Sequence, residues 1–281
     1  MKINQVLKKY NNKLGSENEL EIILSYLLEK PKSWLISHSD YALSPDLIIK
    51  LEKAIKRRSK NEPLDYILGK TNFCGRDFVV NKDVLIPRPE TEYLIEIILK
   101  EIATNKNIKD LKIIDVGTGS GAIAISLASE LHDKKLNPRI FASEISPKAL
   151  AIAQRNAKIH NVKIKFIETS LLSKIVEKFD IIVANLPYIP SYYLEKLDLD
   201  IVDYEPNIAL DGGPDGTDLI KQLLLQAKNK LSKEGLIFLE IWHDQGEILQ
   251  NYASKIFPSS QIEIKKDLAG HNRFFILKNK S

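Results

Sequence analysis

The chain has 281 residues, 44% hydrophobic and 28% charged, which excludes a disordered or fibrous protein and leads us to expect two domains with a sizeable core. Its net charge of +4 is too small to mark a nucleic-acid binder, and its one cysteine, Cys74, excludes a disulfide framework or a cysteine-based metal cluster and points to a reducing compartment. No apolar run is long enough to span a bilayer, and Glu17, Glu19 and Glu21 bring acidic residues in too early for a transit peptide, so a cytoplasmic protein without membrane attachment is expected.

Residues 1–70 carry helical periodicity. Leu20, Ile23, Leu24, Leu27 and Leu28 share one face of a helix that Pro31 stops, and Ser44-Pro45-Asp46 reads as a cap leading Leu47, Ile48, Leu51 and Ile55 along a second. We expect a helical bundle without catalytic residues, serving as a docking domain. Residues 71–89 turn β-rich and read as a hairpin linker, with Asn81-Lys82-Asp83 as the turn between Phe78-Val79-Val80 and Val84-Leu85-Ile86. In residues 90–281, strands alternate with helices: Ile113 to Val116, a helix from Ser120, Arg139 to Ala142, a helix from Pro147, Ile164 to Ile167, and Ile181 to Ala184. That alternation predicts a parallel sheet covered on both faces. Gly235 to Ile241 and Arg273 to Leu277 supply later strands.

Two segments carry chemistry. Asp115-Val116-Gly117-Thr118-Gly119-Ser120-Gly121 ends a strand and opens a helix, so its glycines occupy a turn where backbone approaches a ligand closely. Nucleotide-binding dehydrogenases separate their second and third glycines by two residues; here one intervenes, and the form resembles the methyltransferase turn. Glu144, after the next strand, stands where a carboxylate can accept both ribose hydroxyls of a cofactor, or else belongs to a helix-capping network with Ser143 and Ser146. Asn185-Leu186-Pro187-Tyr188 places an amide, a carbonyl, a rigid proline and an aromatic ring at another strand's carboxyl end, where open α/β sheets bind ligands. A carboxamide or aromatic amine is a poor nucleophile because its lone pair is delocalised. The Asn185 oxygen and the Leu186 carbonyl can hold its N–H groups, while Pro187 fixes the chain and Tyr188 stacks on the flat group. Together the segments point to methylation of a planar nitrogen by S-adenosylmethionine, with no metal required. The five histidines are scattered and none pairs at metal-ligand spacing.

The sequence resembles the bacterial release factor glutamine methyltransferases, the PrmC/HemK type, over nearly its whole length. The resemblance rests on Glu62-Pro63-Leu64-Asp65-Tyr66-Ile67-Leu68-Gly69, Phe73-Cys74-Gly75, Val84 to Glu92, Asp115 to Gly121, Asn185 to Pro190, Tyr204-Glu205-Pro206 and Ala209 to Gly213. It implies a class I S-adenosylmethionine-dependent methyltransferase fold, a Rossmann-like α/β sheet, with a helical N-terminal domain that engages class-1 peptide release factors. It implies as substrate the glutamine of the Gly-Gly-Gln tip, and no stable nucleic-acid partner. Cofactor contacts map onto Gly117, Thr118, Gly119, Ser120, Gly121, Glu144 and Asn185, and the substrate motif onto Asn185, Leu186, Pro187 and Tyr188.

Leu186 departs from the usual Asn-Pro-Pro-Tyr, although leucine still offers the backbone carbonyl. Ser170 replaces an aspartate common near the cofactor's adenine, Glu144 replaces an aspartate, and Glu240-Ile241-Trp242-His243 lacks an expected glycine. Asn-Leu-Pro-Tyr also resembles the motif of ribosomal RNA adenine dimethyltransferases, which makes adenine methylation the alternative activity. Those enzymes place the helical domain after the catalytic core, the reverse of the order here. A catalytically silent binding protein would be expected to have lost the glycine turn or the Asn185 motif, and both are intact. Arg88 and Glu90 sit beside the prolines of the entry segment, where a helix N-terminus and its cap account for Glu90 at least as well as substrate contact does, and Asp211 to Gly216 reads as a loop over the cofactor's edge.

Overall fold

The computed structural model describes residues 1–10, 14, 17–104 and 110–280, which divide into two units. The first comprises Met1–Lys70 together with Asp198–Tyr204, a later segment that the sequence reading leaves in the second domain. Its helices are α1 (Ile3–Tyr10), α2 (Glu17–Leu28), α3 (Lys32–Ser37), α4 (Pro45–Arg58) and α5 (Leu64–Leu68). The predicted apolar faces meet: Leu20, Ile23 and Leu24 of α2 are buried with Leu51 and Ile55 of α4 and Ile3 and Val6 of α1. Ser44 caps α4 by accepting from the Leu47 N–H at 3.3 Å, and Pro45 follows in the first turn. The Arg58 guanidinium forks onto Glu19 at 2.8 and 2.9 Å, and the Tyr204 hydroxyl donates to the Lys60 carbonyl at 2.6 Å.

The second unit comprises Thr71–Leu197 and Glu205–Ser281. It opens with a hairpin of β1 (Lys70–Phe73) and β2 (Arg76–Val79). This corrects the expected register, because the turn is Cys74-Gly75, with φ of 49° and 70°, and not Asn81-Lys82-Asp83. Two successive left-handed residues match the twist of a tight hairpin. Val84 to Ile86 form no strand; Val84 and Ile86 are buried in a loop, and the Ile86 N–H donates to the Glu205 carboxylate instead of to a ladder.

The remaining elements are α6 (Pro89–Thr104), β3 (Lys112–Val116), α7 (Ala122–Asp133), β4 (Arg139–Glu144), α8 (Pro147–Ile159), β5 (Ile164–Glu168), β6 (Phe179–Ala184), α9 (Asp218–Ala227), β7 (Leu231–Glu240), α10 (Gly246–Ile256), β8 (Gln261–Lys266) and β9 (Asn272–Lys278). They form one seven-stranded sheet in the order β5-β4-β3-β6-β7-β9-β8. The strands run parallel except β9, which is antiparallel to both β7 and β8. The sheet is therefore mixed, and β8 is a strand that the sequence reading passes over. Alternating residues feed two cores. Ile113, Ile140, Ile181, Val183 and Phe238 pack with Leu94 and Ile98 of α6 and Ile125 of α7. Ile114, Val116, Ile182, Ala184 and Leu239 face Leu223 and Leu224 of α9 and Leu249 of α10. Strand order reverses beside β3, which lies between β4 and β6, and a crevice opens there at the strands' carboxyl ends. No helix among the described residues is long and apolar enough to cross a membrane.

Candidate active site

Register brings the two chemical segments together. Val116 of β3 pairs with Ala184 of β6 and, on its other side, with Ser143 of β4. The next residues, Gly117, Asn185 and Glu144, consequently leave three adjacent strands at one edge. A cavity of about 250 Å³ lies there, lined by Gly117, Thr118, Gly119, Ser120, Glu144, Asn185, Leu186 and Pro187. Gly121 and Tyr188 are absent from its lining, so of the predicted site residues these two stand behind the surface.

The glycine turn shows why each glycine is needed. All three have left-handed φ, at 73°, 54° and 85°. A Cβ on Gly117 would stand 2.8 Å from Leu186 Cδ2, and one on Gly121 would meet Ile125 at 2.9 Å and Ala153 at 3.2 Å. Those two positions are closed by the protein itself. A Cβ on Gly119 would meet nothing within 4 Å, so only this glycine faces space that a ligand can fill. Asp115 anchors the turn: its Oδ2 accepts from Thr118 Oγ1 at 2.6 Å and from the Ala124 N–H at 3.2 Å. Its Oδ1 is buried without a hydrogen-bond partner among the described residues. Burial pushes the Asp115 carboxyl up to about 7. Buried Asn156 ties the turn to the hairpin, donating to the carbonyls of Ser120 and Val79 and accepting from the Val79 N–H.

Glu144 is turned inward by backbone donors. Its Oε1 accepts from the Ile145 and Ser146 N–H groups at 2.8 and 2.9 Å, and its Oε2 from the Gly119 N–H at 3.0 Å. Both readings of this residue thus have a counterpart: the carboxylate organises the start of α8 and also lines the cavity. Oε2 keeps a lone pair for a hydroxyl. The capping network omits Ser143, whose hydroxyl is buried without a partner among the described residues, while the Ser146 hydroxyl accepts from the Ala149 N–H at 3.3 Å. Ser170 lines the cavity with Thr169 and Leu171.

At the end of β6, the Asn185 amide nitrogen donates to Thr91 Oγ1 at 3.1 Å, and Thr91 donates to Glu240 Oε2 at 2.6 Å. The Tyr188 hydroxyl donates to Glu240 Oε1 at 2.9 Å. Burial raises the Glu240 carboxyl, and burial with the Glu240 charge raises the Tyr188 phenol well above its ordinary 10. Among the described residues, neither Asn185 Oδ1 nor the Leu186 carbonyl accepts a hydrogen bond, so two acceptors stand unused on consecutive residues beside the cavity. Thr91 and Glu240, which bond to the Asn185 segment, are the site residues that sequence reasoning missed. A threonine in a helix's first turn reads as a cap, and nothing local links it to a glutamate 149 positions away.

One further expectation changes. The loop Asp211 to Gly216 does not line the cavity. Its glycines pack under the Asn185 segment, where a Cβ on Gly212 would lie 2.7 Å from the Pro187 carbonyl oxygen and one on Gly216 2.2 Å from that of Tyr188. Arg88 is engaged by buried Glu205, which also holds the Ile86 N–H and so pins the loop whose Val84, Leu85 and Pro87 line the cavity. The site thus presents a buried carboxylate with an orphaned oxygen, an open glycine cradle and a carboxylate for hydroxyls. The cradle and the Glu144 carboxylate line the cavity and fit a ligand that carries a ribose, while the Asp115 carboxyl lies beneath the turn, outside that lining. Among the described residues, no cluster of His, Cys, Asp and Glu is placed to hold a metal ion.

Residues 5–69 match the PrmC N-terminal domain family, and residues 91–193 the methyltransferase small domain family. A release factor glutamine methyltransferase of Lactococcus lactis is 40% identical over 262 residues, covering 92% of this chain and 93% of its own. One of Clostridium acetobutylicum is 39% identical over 279 residues, covering 97% and 94%. A solved methyltransferase structure from Pyrococcus furiosus aligns with a TM-score of 0.53 over 74% of this chain and 91% of its own, at 17% identity, a likeness of fold.

Proposed function

This chain belongs to the release factor glutamine methyltransferase family, and from that premise we infer that it methylates the glutamine of the Gly-Gly-Gln motif in class-1 peptide release factors. The acceptor atom is the side-chain amide nitrogen, and the cofactor is S-adenosylmethionine, which supplies the methyl group on a positively charged sulfur.

The protein's own residues supply position more than chemistry. The turn from Gly117 to Gly121 takes the cofactor's amino-acid end, with Gly119 leaving room for it and the Asp115 charge beneath it, and Glu144 takes the ribose. Asn185 Oδ1 and the Leu186 carbonyl each accept one N–H of the glutamine carboxamide and so turn its lone pair toward the methyl carbon. Pro187 holds the backbone direction, and Tyr188, which stands behind the lining and not against the amide as its stacking role would require, braces the segment through its hydroxyl on Glu240. Holding two reactants in line at van der Waals distance removes much of the barrier to a displacement of this kind. The pair of unused acceptors beside the glycine turn is the observation that carries this reading. The helical first unit, which contributes no residue to the cavity lining, is the docking domain for the body of the release factor.

The test is transfer of labelled methyl from S-adenosylmethionine to purified release factor, beside a release factor whose Gly-Gly-Gln glutamine is alanine. Label on the first and not the second is expected. Label on ribosomal RNA or DNA, and on neither protein, would reverse the assignment in favour of adenine.

A further inference from the structure

The acceptor role of Asn185 demands that its carboxamide present oxygen, not nitrogen, to the substrate. The two ends of a carboxamide are nearly the same size, so packing alone selects weakly between them; only a partner of fixed polarity does. The polarity here is set two bonds back. A carboxylate accepts only, and each Glu240 oxygen takes one hydroxyl, Thr91 on Oε2 and Tyr188 on Oε1. The single Thr91 proton is thereby committed to Glu240 at 2.6 Å. Toward Asn185 the Thr91 oxygen can only accept, so it must receive the amide NH2, as it does at 3.1 Å. Oδ1 is left facing the other way, on a residue that lines the cavity. Thr91 and Glu240 are both buried, which keeps water from satisfying either group in the opposite sense.

We propose that Thr91, backed by Glu240, is a positioning residue that locks the Asn185 carboxamide with its oxygen toward the substrate nitrogen. The role rests on the glutamine-methylation reading above. Thr91 also lines the cavity, and the role assigned to it is exercised through its hydrogen bond with Asn185.

Thr91→Val keeps the shape and removes the hydroxyl, and Thr91→Ser keeps the hydroxyl. Steady-state methylation of release factor is expected to show kcat lowered about ten- to a hundredfold in Thr91→Val, the scale of one misplaced buried hydrogen bond. The dissociation constant for S-adenosylmethionine and the melting temperature should stay close to wild type, and Thr91→Ser should recover kcat to within about threefold. Glu240→Gln is expected to behave as Thr91→Val does, since an amide can donate to Thr91 and free its proton for Asn185 Oδ1.

A readout without turnover is the 15N–1H signal pair of the Asn185 side chain. It should exchange slowly with water in wild type and Thr91→Ser, and move and exchange faster in Thr91→Val. Wild-type kcat in Thr91→Val, an equal loss in Thr91→Val and Thr91→Ser, or an unmoved Asn185 signal would each overturn the proposal. Failure of the wild-type enzyme to label release factor would instead overturn the parent reading, and the Asn185 signal would still test the orientation.

Discussion

On the proposed reading Asn185 serves the substrate and Asp115 the cofactor, and the two residues should fail differently. Asn185→Ala removes the acceptor for the reacting nitrogen, so methyl transfer to release factor is expected to fall below detection, while the cofactor keeps the glycine turn and Glu144 and calorimetry should still find S-adenosylmethionine binding within about threefold of wild type. Asp115 is the reverse case. Its carboxyl sits at about 7 against an ordinary 3.8, with burial the first cause and the hydrogen bonds from Thr118 and Ala124 opposing it. The folded state therefore holds a proton that the unfolded chain has released. The associated stability is full below about pH 4, is lost as pH climbs to about 7, and amounts to roughly 4 kcal/mol across that window. Asp115→Asn can keep both hydrogen bonds through its oxygen and carries no charge. Its melting temperature should exceed that of wild type at pH 8, with the advantage shrinking toward pH 5. If the ionised carboxylate is the counter-charge for the sulfonium, as the proposed reading has it, the same variant should bind the cationic cofactor more weakly, and wild-type affinity should tighten as pH rises through 7. A cofactor affinity in Asp115→Asn equal to wild type at pH 8 would remove Asp115 from that role.

Between β3 and α7, the turn makes the same point about backbone. Gly121→Ala adds a methyl group at φ 85° that meets Ile125 and Ala153, where α7 and α8 pack, so it should destabilise the fold by at least about 2 kcal/mol in urea unfolding. Gly119→Ala meets no protein atom within 4 Å; its main effect should be on S-adenosylmethionine affinity, lowered at least tenfold, with a smaller stability loss from its φ of 54°. Loss in the opposite order would mean that the cavity is not where the cofactor binds. These elements were legible in the sequence because their signals are local: apolar runs end at glycine or proline, and Ser44 and Ser146 announce their helices. The hairpin was misplaced because Asn81-Lys82-Asp83 has better turn composition than Cys74-Gly75, where cysteine adopts a left-handed φ that its side chain does not favour. Strand β8 was missed because Gln261 to Lys266 alternates polar and apolar residues with two lysines at its end, the pattern of a strand at a sheet's rim. The linkages Asn185–Thr91–Glu240 and Arg88–Glu205 were beyond reach for a different reason: each joins residues whose separation only the tertiary fold closes.

Across the whole molecule, every residue lining the cavity lies in the second unit, while the first has its own core and its own ion pairs. A single glutamine side chain with two flanking glycines offers little surface for recognition, and most of the binding energy for a release factor must come from contacts remote from the reacting nitrogen. Such remote energy is used to hold the reacting group in place, so a truncated substrate loses more than affinity. A short peptide containing Gly-Gly-Gln is therefore expected to be methylated with kcat/KM lowered by at least about a hundredfold relative to intact release factor, while the affinity for S-adenosylmethionine is the same in both assays. The comparison also isolates the first unit. Replacing exposed Ile36 by aspartate in that unit, far in sequence from any cavity-lining residue, should leave peptide methylation unchanged whatever it does to release factor. Equal kcat/KM for peptide and intact factor would mean that the crevice alone reads the substrate and that the helical unit serves some other purpose.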